Sequence, residues 1–148
     1  MINNLPGTIV PLSGEPLKTL INEVEFLKIK NFIDNVEDRV EDPEEKSRLS
    51  ALYHECRGRL HFKQENIEDA EKEFEKSLSY RANPRVYYYL AELYWKQARK
   101  RKDSLKNLYL AKTRSALSLC LKNDLQQKYK NEVSECLERL NAFEKPPK

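Results

Sequence analysis

The chain has 148 residues, of which 34% are charged and only three are glycine, with a formal net charge of +3. This composition, without any run of alternating β-branched residues, argues against a β fold and predicts mostly helix. No stretch resembles a membrane span or a secretory signal, so we predict a cytoplasmic protein with no membrane partner.

The charge is distributed unevenly along the chain. Residues 15–79 carry 17 acidic and 11 basic side chains, a net charge of −6, whereas residues 96–130 carry 11 basic and 2 acidic ones, a net charge of +9. Such a dipole can steer a charged partner. The alternative interpretation is that both runs are solvated helix faces.

Three cysteines, Cys56, Cys120 and Cys136, show no Cys-x-x-Cys spacing. An odd number without that spacing is typical of reduced structural thiols and argues against a zinc site or a disulfide framework.

The chain begins with helix-breaking residues and then becomes periodic. Prolines and glycines recur through residues 1–15, which predicts an extended arm. From residue 16 onward apolar residues recur every three or four positions, which predicts helices over 16–28 and 29–41, or one kinked helix.

Paired Asx and Pro residues then mark two helix starts. Asp42 followed by Pro43 predicts a capped start, and an apolar stripe continues from there to Lys63. A second helix is predicted over Ile67–Tyr80. The Asn-Pro pair at positions 83 and 84 starts a third helix in the same way.

Gly58 falls inside the first of these helices, where glycine costs about 0.5 to 1 kcal/mol relative to alanine. We predict that a close helix crossing compensates for it, with Ala70 as the small residue on the facing helix and Phe74 filling the space beside it. The alternative is that Gly58 ends the helix. No turn chemistry follows it until residues 64–66.

The segment GRLHFKQ that begins at Gly58 matches AELYWKQ, which begins at Ala91, with an offset of 33 residues. With Ala70 and Phe74, the pattern Tyr87-x2-Leu90-Ala91-x2-Tyr94 resembles the tetratricopeptide repeat (TPR) family, whose period is about 34 residues. The resemblance implies an all-α solenoid of about three repeats, the first degenerate. The predicted core comprises Leu60, Ala70, Phe74, Leu78, Leu90, Ala91 and Tyr94.

After residue 97 the chain departs from the repeat pattern, because aligning the following helix with the previous repeat requires about six extra residues in the region 98–104. We predict a longer helix or an enlarged turn there. A helix over about 104–122 follows, whose inward stripe is predicted to comprise Leu105, Leu108, Ala111 or Lys112, Ser115 and Leu119.

The last predicted helix spans residues 124–143 and has the polar back of a capping helix that closes a solenoid. Its apolar face is predicted to comprise Leu125, Tyr129, Val133, Cys136, Leu137 and Leu140. A single domain is therefore predicted over 16–143, with a disordered tail at 144–148.

No constellation of catalytic residues is present, and we predict a non-enzyme without metal or cofactor. His54 and His61 are seven residues apart, but without a nearby cysteine or paired carboxylate they make a poor metal site. Packing in repeat core positions is the favoured interpretation of both.

The predicted function is therefore binding of a peptide or protein segment, as an adaptor or a chaperone-like protein. In TPR proteins the first helix of each repeat lines a concave groove, and the resemblance implies corresponding positions here. Tyrosine, tryptophan and arginine are typical of interface hot spots. The predicted groove residues are Leu52, Glu55, Arg59, Phe62, Arg85, Tyr88, Glu92, Trp95 and Lys96.

Within that groove Tyr88 and Trp95, seven residues apart, are predicted to form one exposed aromatic pair. A partner, a second copy of the chain or the arm around residues 9–10 would cover this pair. The alternative is that Tyr88 and Tyr89 pack under the terminal helices.

A rival hypothesis is binding of nucleic acid or another polyanionic surface through residues 96–114, since basic clusters supply salt-dependent phosphate affinity. A solvated loop and an acidic protein partner are the alternatives for the same residues. The basic patch comprises Arg99, Lys100, Arg101, Lys102 and Lys106. A homo-oligomer also remains open.

Overall fold

The computed structural model describes residues 27–28, 31, 35 and 41–144. The predicted arm, the tail beyond residue 144 and most of the two helices predicted over 16–41 lie outside the described residues.

Residues 41–144 form five helices and no strand, so the predicted all-α class is confirmed for this part of the chain. No helix among the described residues combines the length and the apolar character needed to cross a bilayer. The helices are α1 (Pro43–Lys63), α2 (Ile67–Tyr80), α3 (Pro84–Lys100), α4 (Leu105–Asn123) and α5 (Lys130–Glu144).

The described residues divide into two compact units at Val86 and Tyr87, inside the first turn of α3. The N-terminal unit contains α1, α2 and the start of α3. The C-terminal unit contains the rest of α3 with α4 and α5.

Local chemistry starts α1 and α3 where the sequence predicts. The Asp42 carboxylate accepts a hydrogen bond from the Glu44 amide at 3.2 Å, and Pro43 occupies the first turn, where a missing N–H costs nothing. Asn83 accepts from the Arg85 amide at 2.9 Å in the same manner. The predicted extension into the insertion is also confirmed, since α3 continues to Lys100.

Helices α1 and α2 pack closely at Gly58. A β-carbon built on this glycine would lie 2.6 Å from the Cδ1 and Cε1 atoms of Phe74, which is 0% exposed, as is Ala70. Nearby, the Ser77 hydroxyl donates to the Ala51 carbonyl at 2.7 Å. The predicted close crossing is confirmed, and the alternative that Gly58 ends a helix is wrong.

Polar contacts join the same two helices. Nδ1 of His54 lies 2.7 Å from one oxygen of the Glu73 carboxylate, and the other oxygen forms an ion pair with Nε of Arg57 at 3.2 Å. The His54 ring stacks on Tyr80 with the two planes 4° apart. His54 therefore belongs to the contact between α1 and α2.

In the C-terminal unit the prediction of which residues of α4 face inward is wrong. Leu105, Leu108 and Leu119 are exposed, as are Ala111 and Ser115. Leucines occur on two sides of this helix, and the period of 3.6 residues does not decide which side the neighbouring helices cover. The buried face comprises Leu110, Thr113, Ala116, Leu117 and Cys120.

The last helix begins at Lys130, six residues later than predicted, because Asp124 organises a turn. Its carboxylate accepts hydrogen bonds from the amides of Lys128 at 2.9 Å and Tyr129 at 2.7 Å. Gln127 has a φ of 55° in this turn, and Leu125 is 92% exposed rather than inward. The predicted inward residues of α5 itself are fully buried at Val133, Cys136 and Leu140, and half-buried at Leu137.

The crossing at Gly58 generates a stability prediction. Gly58→Ala gains about 1 kcal/mol of helix propensity but forces its methyl group into the Phe74 ring, which costs about 1 to 3 kcal/mol in a packed core. We expect a net loss in the free energy of unfolding, measured by urea denaturation.

A double-mutant cycle identifies the cause of that loss. Phe74→Leu shortens the facing side chain, so Gly58→Ala should cost less in the Phe74→Leu background than alone. Equal costs in both backgrounds would contradict the close contact.

Candidate functional site

The N-terminal unit contains a cleft of about 310 Å³ between the middle of α1 and the turn that joins α2 to α3. Three of the predicted groove residues, Leu52, Glu55 and Arg85, contribute to its lining. The full lining comprises Arg48, Ala51, Leu52, Glu55, Arg81, Ala82, Asn83, Pro84 and Arg85.

Glu55 holds one wall of the cleft in place. Its carboxylate, on a side chain 1% exposed, accepts two hydrogen bonds from Arg85: Nε at 2.5 Å and Nη2 at 2.8 Å. Arg59 adds a contact at 3.7 Å. A buried carboxylate without partners is strongly destabilising, so this arrangement fixes the start of α3 against α1.

Arg48 and Arg81 supply further positive charge on the solvent side of the cleft. Arg48 donates to Glu45 through Nε at 3.0 Å, and this hydrogen bond lowers the pKa of Glu45, an effect that the nearby charge of Arg81 reinforces. Arg81 follows the end of α2, is exposed, and forms no ion pair among the described residues. The cleft therefore brings together three guanidinium groups and one carboxylate that is already paired with arginine.

Sequence reasoning missed Arg48 and Arg81 as site residues. One lies on α1 and the other in the turn after α2, 33 positions later, so no local pattern joins them. The sequence pattern that could have pointed to Arg81 is its position next to the Asn-Pro helix start, which places it on one side of that start and Arg85 on the other.

Three of the predicted groove residues of α3 are buried instead of exposed. Tyr88 and Trp95 are each 3% exposed and Glu92 is 6% exposed, so the prediction of an exposed aromatic pair is wrong. The Tyr88 ring lies 5.6 Å from the Tyr129 ring, and the Trp95 ring lies 5.0 Å from the Phe143 ring.

The physical reason for this burial is α5. Its apolar face needs cover, and the aromatic face of α3 provides it. The alternative that Tyr88 and Tyr89 pack under the terminal helices matches the observed burial of both.

The remaining predicted groove residues do not line the cleft. Arg59 is 9% exposed and contacts Glu55, whereas Phe62 and Lys96 are half-buried outside the cleft lining.

The basic patch lies on the C-terminal unit, and several of its cations contact aromatic rings. The Arg99 guanidinium lies 5.5 Å from the centre of the Trp95 ring, and the Lys106 ammonium lies 4.5 Å from that of Phe143. Arg101 lies 5.3 Å from the centre of the Tyr109 ring. Lys100 and Lys102 are exposed. These ring contacts give Arg99, Arg101 and Lys106 a structural role in their own unit.

The three cysteines are free and buried. Burial raises the pKa of Cys56 to about 11, that of Cys120 to about 12 and that of Cys136 to about 11. Because the thiolate is the reactive form, these side chains are poor nucleophiles at neutral pH. Within the described residues no three His, Cys, Asp or Glu side chains are grouped so that they could hold a metal ion.

Comparison with protein-family models, with curated proteins and with solved structures gives no match for the chain. The resemblance to the TPR family therefore stays a prediction from the sequence.

The raised thiol pKa values predict low reactivity. At pH 8 the native protein should react with Ellman's reagent far more slowly than the protein unfolded in urea, in which all three thiols are accessible. With a folded pKa near 11, roughly one thiol in a thousand is ionised at that pH. Fast reaction of one thiol in the folded protein would contradict its burial.

These thiols also make the free energy of unfolding depend on pH. Their folded pKa values exceed the unfolded value of about 8.5, so the folded state binds thiol protons more tightly. The resulting stability is fully present below about pH 8.5 and is lost as pH rises through the folded values. Replacing the three cysteines with alanine should reduce the fall in unfolding free energy between pH 8 and pH 10.

The basic patch offers a matched comparison. Arg99→Ser with Arg101→Ser removes cation–π contacts worth about 0.5 to 1 kcal/mol each at exposed sites, so we expect a lower thermal midpoint. Lys100→Ser with Lys102→Ser removes the same charge, and neither lysine contacts a ring among the described residues. This second pair should leave the midpoint nearly unchanged.

Gel retardation of single- and double-stranded probes at low salt tests the nucleic-acid hypothesis with the same variants. Phosphate binding requires both pairs to weaken retardation, with the salt slope falling by about one for each lost contact. Absence of retardation by the wild-type protein would rule out that function.

Proposed function

We propose that this protein is a protein-interaction module that binds an acidic peptide segment in the arginine-lined cleft of its N-terminal unit. The observation that carries the proposal is the convergence of Arg48, Arg81 and Arg85 on one cleft whose wall is fixed by the buried Glu55. A TPR-like solenoid, supported by the residues that repeat between Gly58 and Tyr94, is the proposed scaffold.

Guanidinium groups favour a carboxylate ligand. Each presents a planar fork of donors that matches the two carboxylate oxygens and remains charged at any physiological pH. The Arg85 fork is already engaged by Glu55, so Arg81 and Arg48 are the principal donors for a ligand. Arg48 would exchange its exposed partner Glu45 for the ligand at little cost, because exposed ion pairs are weak.

The size of the cleft limits what enters it. Pockets for small ligands span roughly 300 to 1,000 Å³, and this cleft lies at the lower end of that range. It has room for one or two side chains, and Ala51, Leu52 and Pro84 provide apolar contact for their methylene groups. An extended peptide anchored by a glutamate or aspartate, with the rest of its chain in solvent, fits these dimensions.

The test uses fluorescence anisotropy with a labelled hexapeptide of alternating glutamate and alanine. Arg48→Ala with Arg81→Ala should weaken binding at least tenfold, because a hydrogen bond to a charged group contributes about 1.5 to 3 kcal/mol. The labelled peptide with glutamine in place of glutamate should not bind.

Lys72→Ala with Lys76→Ala is the matched control. Both lysines are exposed on α2 in the same unit, and their removal lowers the net charge equally without touching the cleft. Equal weakening by both double variants would mean non-specific attraction and would refute the cleft, as would the absence of binding by the wild-type protein.

A further inference from the structure

Helix α4 carries an apolar surface that faces solvent in the C-terminal unit. Leu105, Leu108 and Leu119 are 39%, 47% and 36% exposed, and Ala111 and Ser115 between them are also exposed. At 100° per residue these five positions lie within about 120° of the helix circumference. They are called the leucine face below.

We infer that the leucine face is a docking site for an acidic amphipathic helix of a partner protein. This site is independent of the arginine cleft, since the two are built from different residues in different units. The inference therefore does not depend on the function proposed above.

The shape of the face favours a helix as the occupant. Leu108 and Leu119 are separated by three turns, roughly 16 Å, with the small side chains of Ala111 and Ser115 between them. Large residues at both ends and small ones in the middle form a groove that accepts a ridge of side chains from a crossing helix.

The surrounding charge specifies an acidic occupant. Residues 96–130 carry a net charge of +9, and Lys112 and Lys122 lie toward opposite edges of the leucine face. Glutamates flanking the apolar stripe of a partner helix would meet these lysines and speed its approach. A second copy of this chain would instead bring like charges together, which argues against self-association through this face.

An anionic membrane is less well matched than a protein helix. Helices that lie in a bilayer interface carry Trp, Phe and Leu on their apolar face, and their binding scales with the apolar area that they bury. Here Ala111 and Ser115 reduce the apolar area available to a bilayer, whereas the space between the large side chains accepts a helix ridge.

The probe is a synthetic 18-residue helical peptide with leucines along one stripe and glutamates on both flanks, titrated calorimetrically against the full chain. A matched peptide has lysine in place of every glutamate. The wild-type protein should bind the acidic peptide and not the basic one.

Leu108→Ser with Leu119→Ser should weaken binding of the acidic peptide at least tenfold. Both side chains are exposed, so circular dichroism should show unchanged helicity. Leu121→Ser is the control, because Leu121 is 39% exposed on the same helix but points about 160° away from Leu119, and this variant should bind like wild type.

Arg48→Ala with Arg81→Ala separates this site from the cleft and should leave binding of the helical peptide unchanged. The inference is overturned if the wild-type protein fails to bind the acidic peptide, or if the serine double variant binds it equally well. It is also overturned if the leucines instead mediate a concentration-dependent dimer or binding to vesicles of phosphatidylserine and phosphatidylcholine.

Discussion

The N-terminal unit depends on a carboxylate that is out of contact with water. Glu55 is 1% exposed, and transfer of such a charge into the interior costs several kcal/mol unless partners replace its hydration. Arg85 and Arg59 are those partners. Because Arg85 belongs to the first turn of α3, the electrostatic requirement of one residue in the middle of α1 fixes the turn after α2 and, with it, the shape of the cleft.

The sequence predicts well the features that short-range chemistry determines. Asp42 with Pro43, and Asn83 with Pro84, locate helix starts because each pair satisfies or removes the amides that a first turn leaves without partners. Gly58 predicts its own neighbour, since an interior glycine needs a compensating contact, and Phe74 provides it. Helices α1 and α2 pack against each other here, whereas the TPR-like solenoid stays a proposal.

The sequence does not predict in this way which helix face packs against which other helix. A helical period shows that Tyr88 and Trp95 share a side of α3, but it does not show that α5 packs over them. The same limit explains α4, where leucines on two sides compete for burial. Arg48 and Arg81 escape notice as site residues because only the folded turn brings them to the same cleft.

The burial of Trp95 has an optical consequence. It is the single tryptophan of the chain, and it lies against Phe143 of α5 with a guanidinium group over its ring. Its emission therefore reports whether α5 is docked, whereas far-ultraviolet circular dichroism reports helix in both units. A denaturation followed by both signals shows directly whether the two units melt together or in sequence, since coincident curves are a test of a two-state transition.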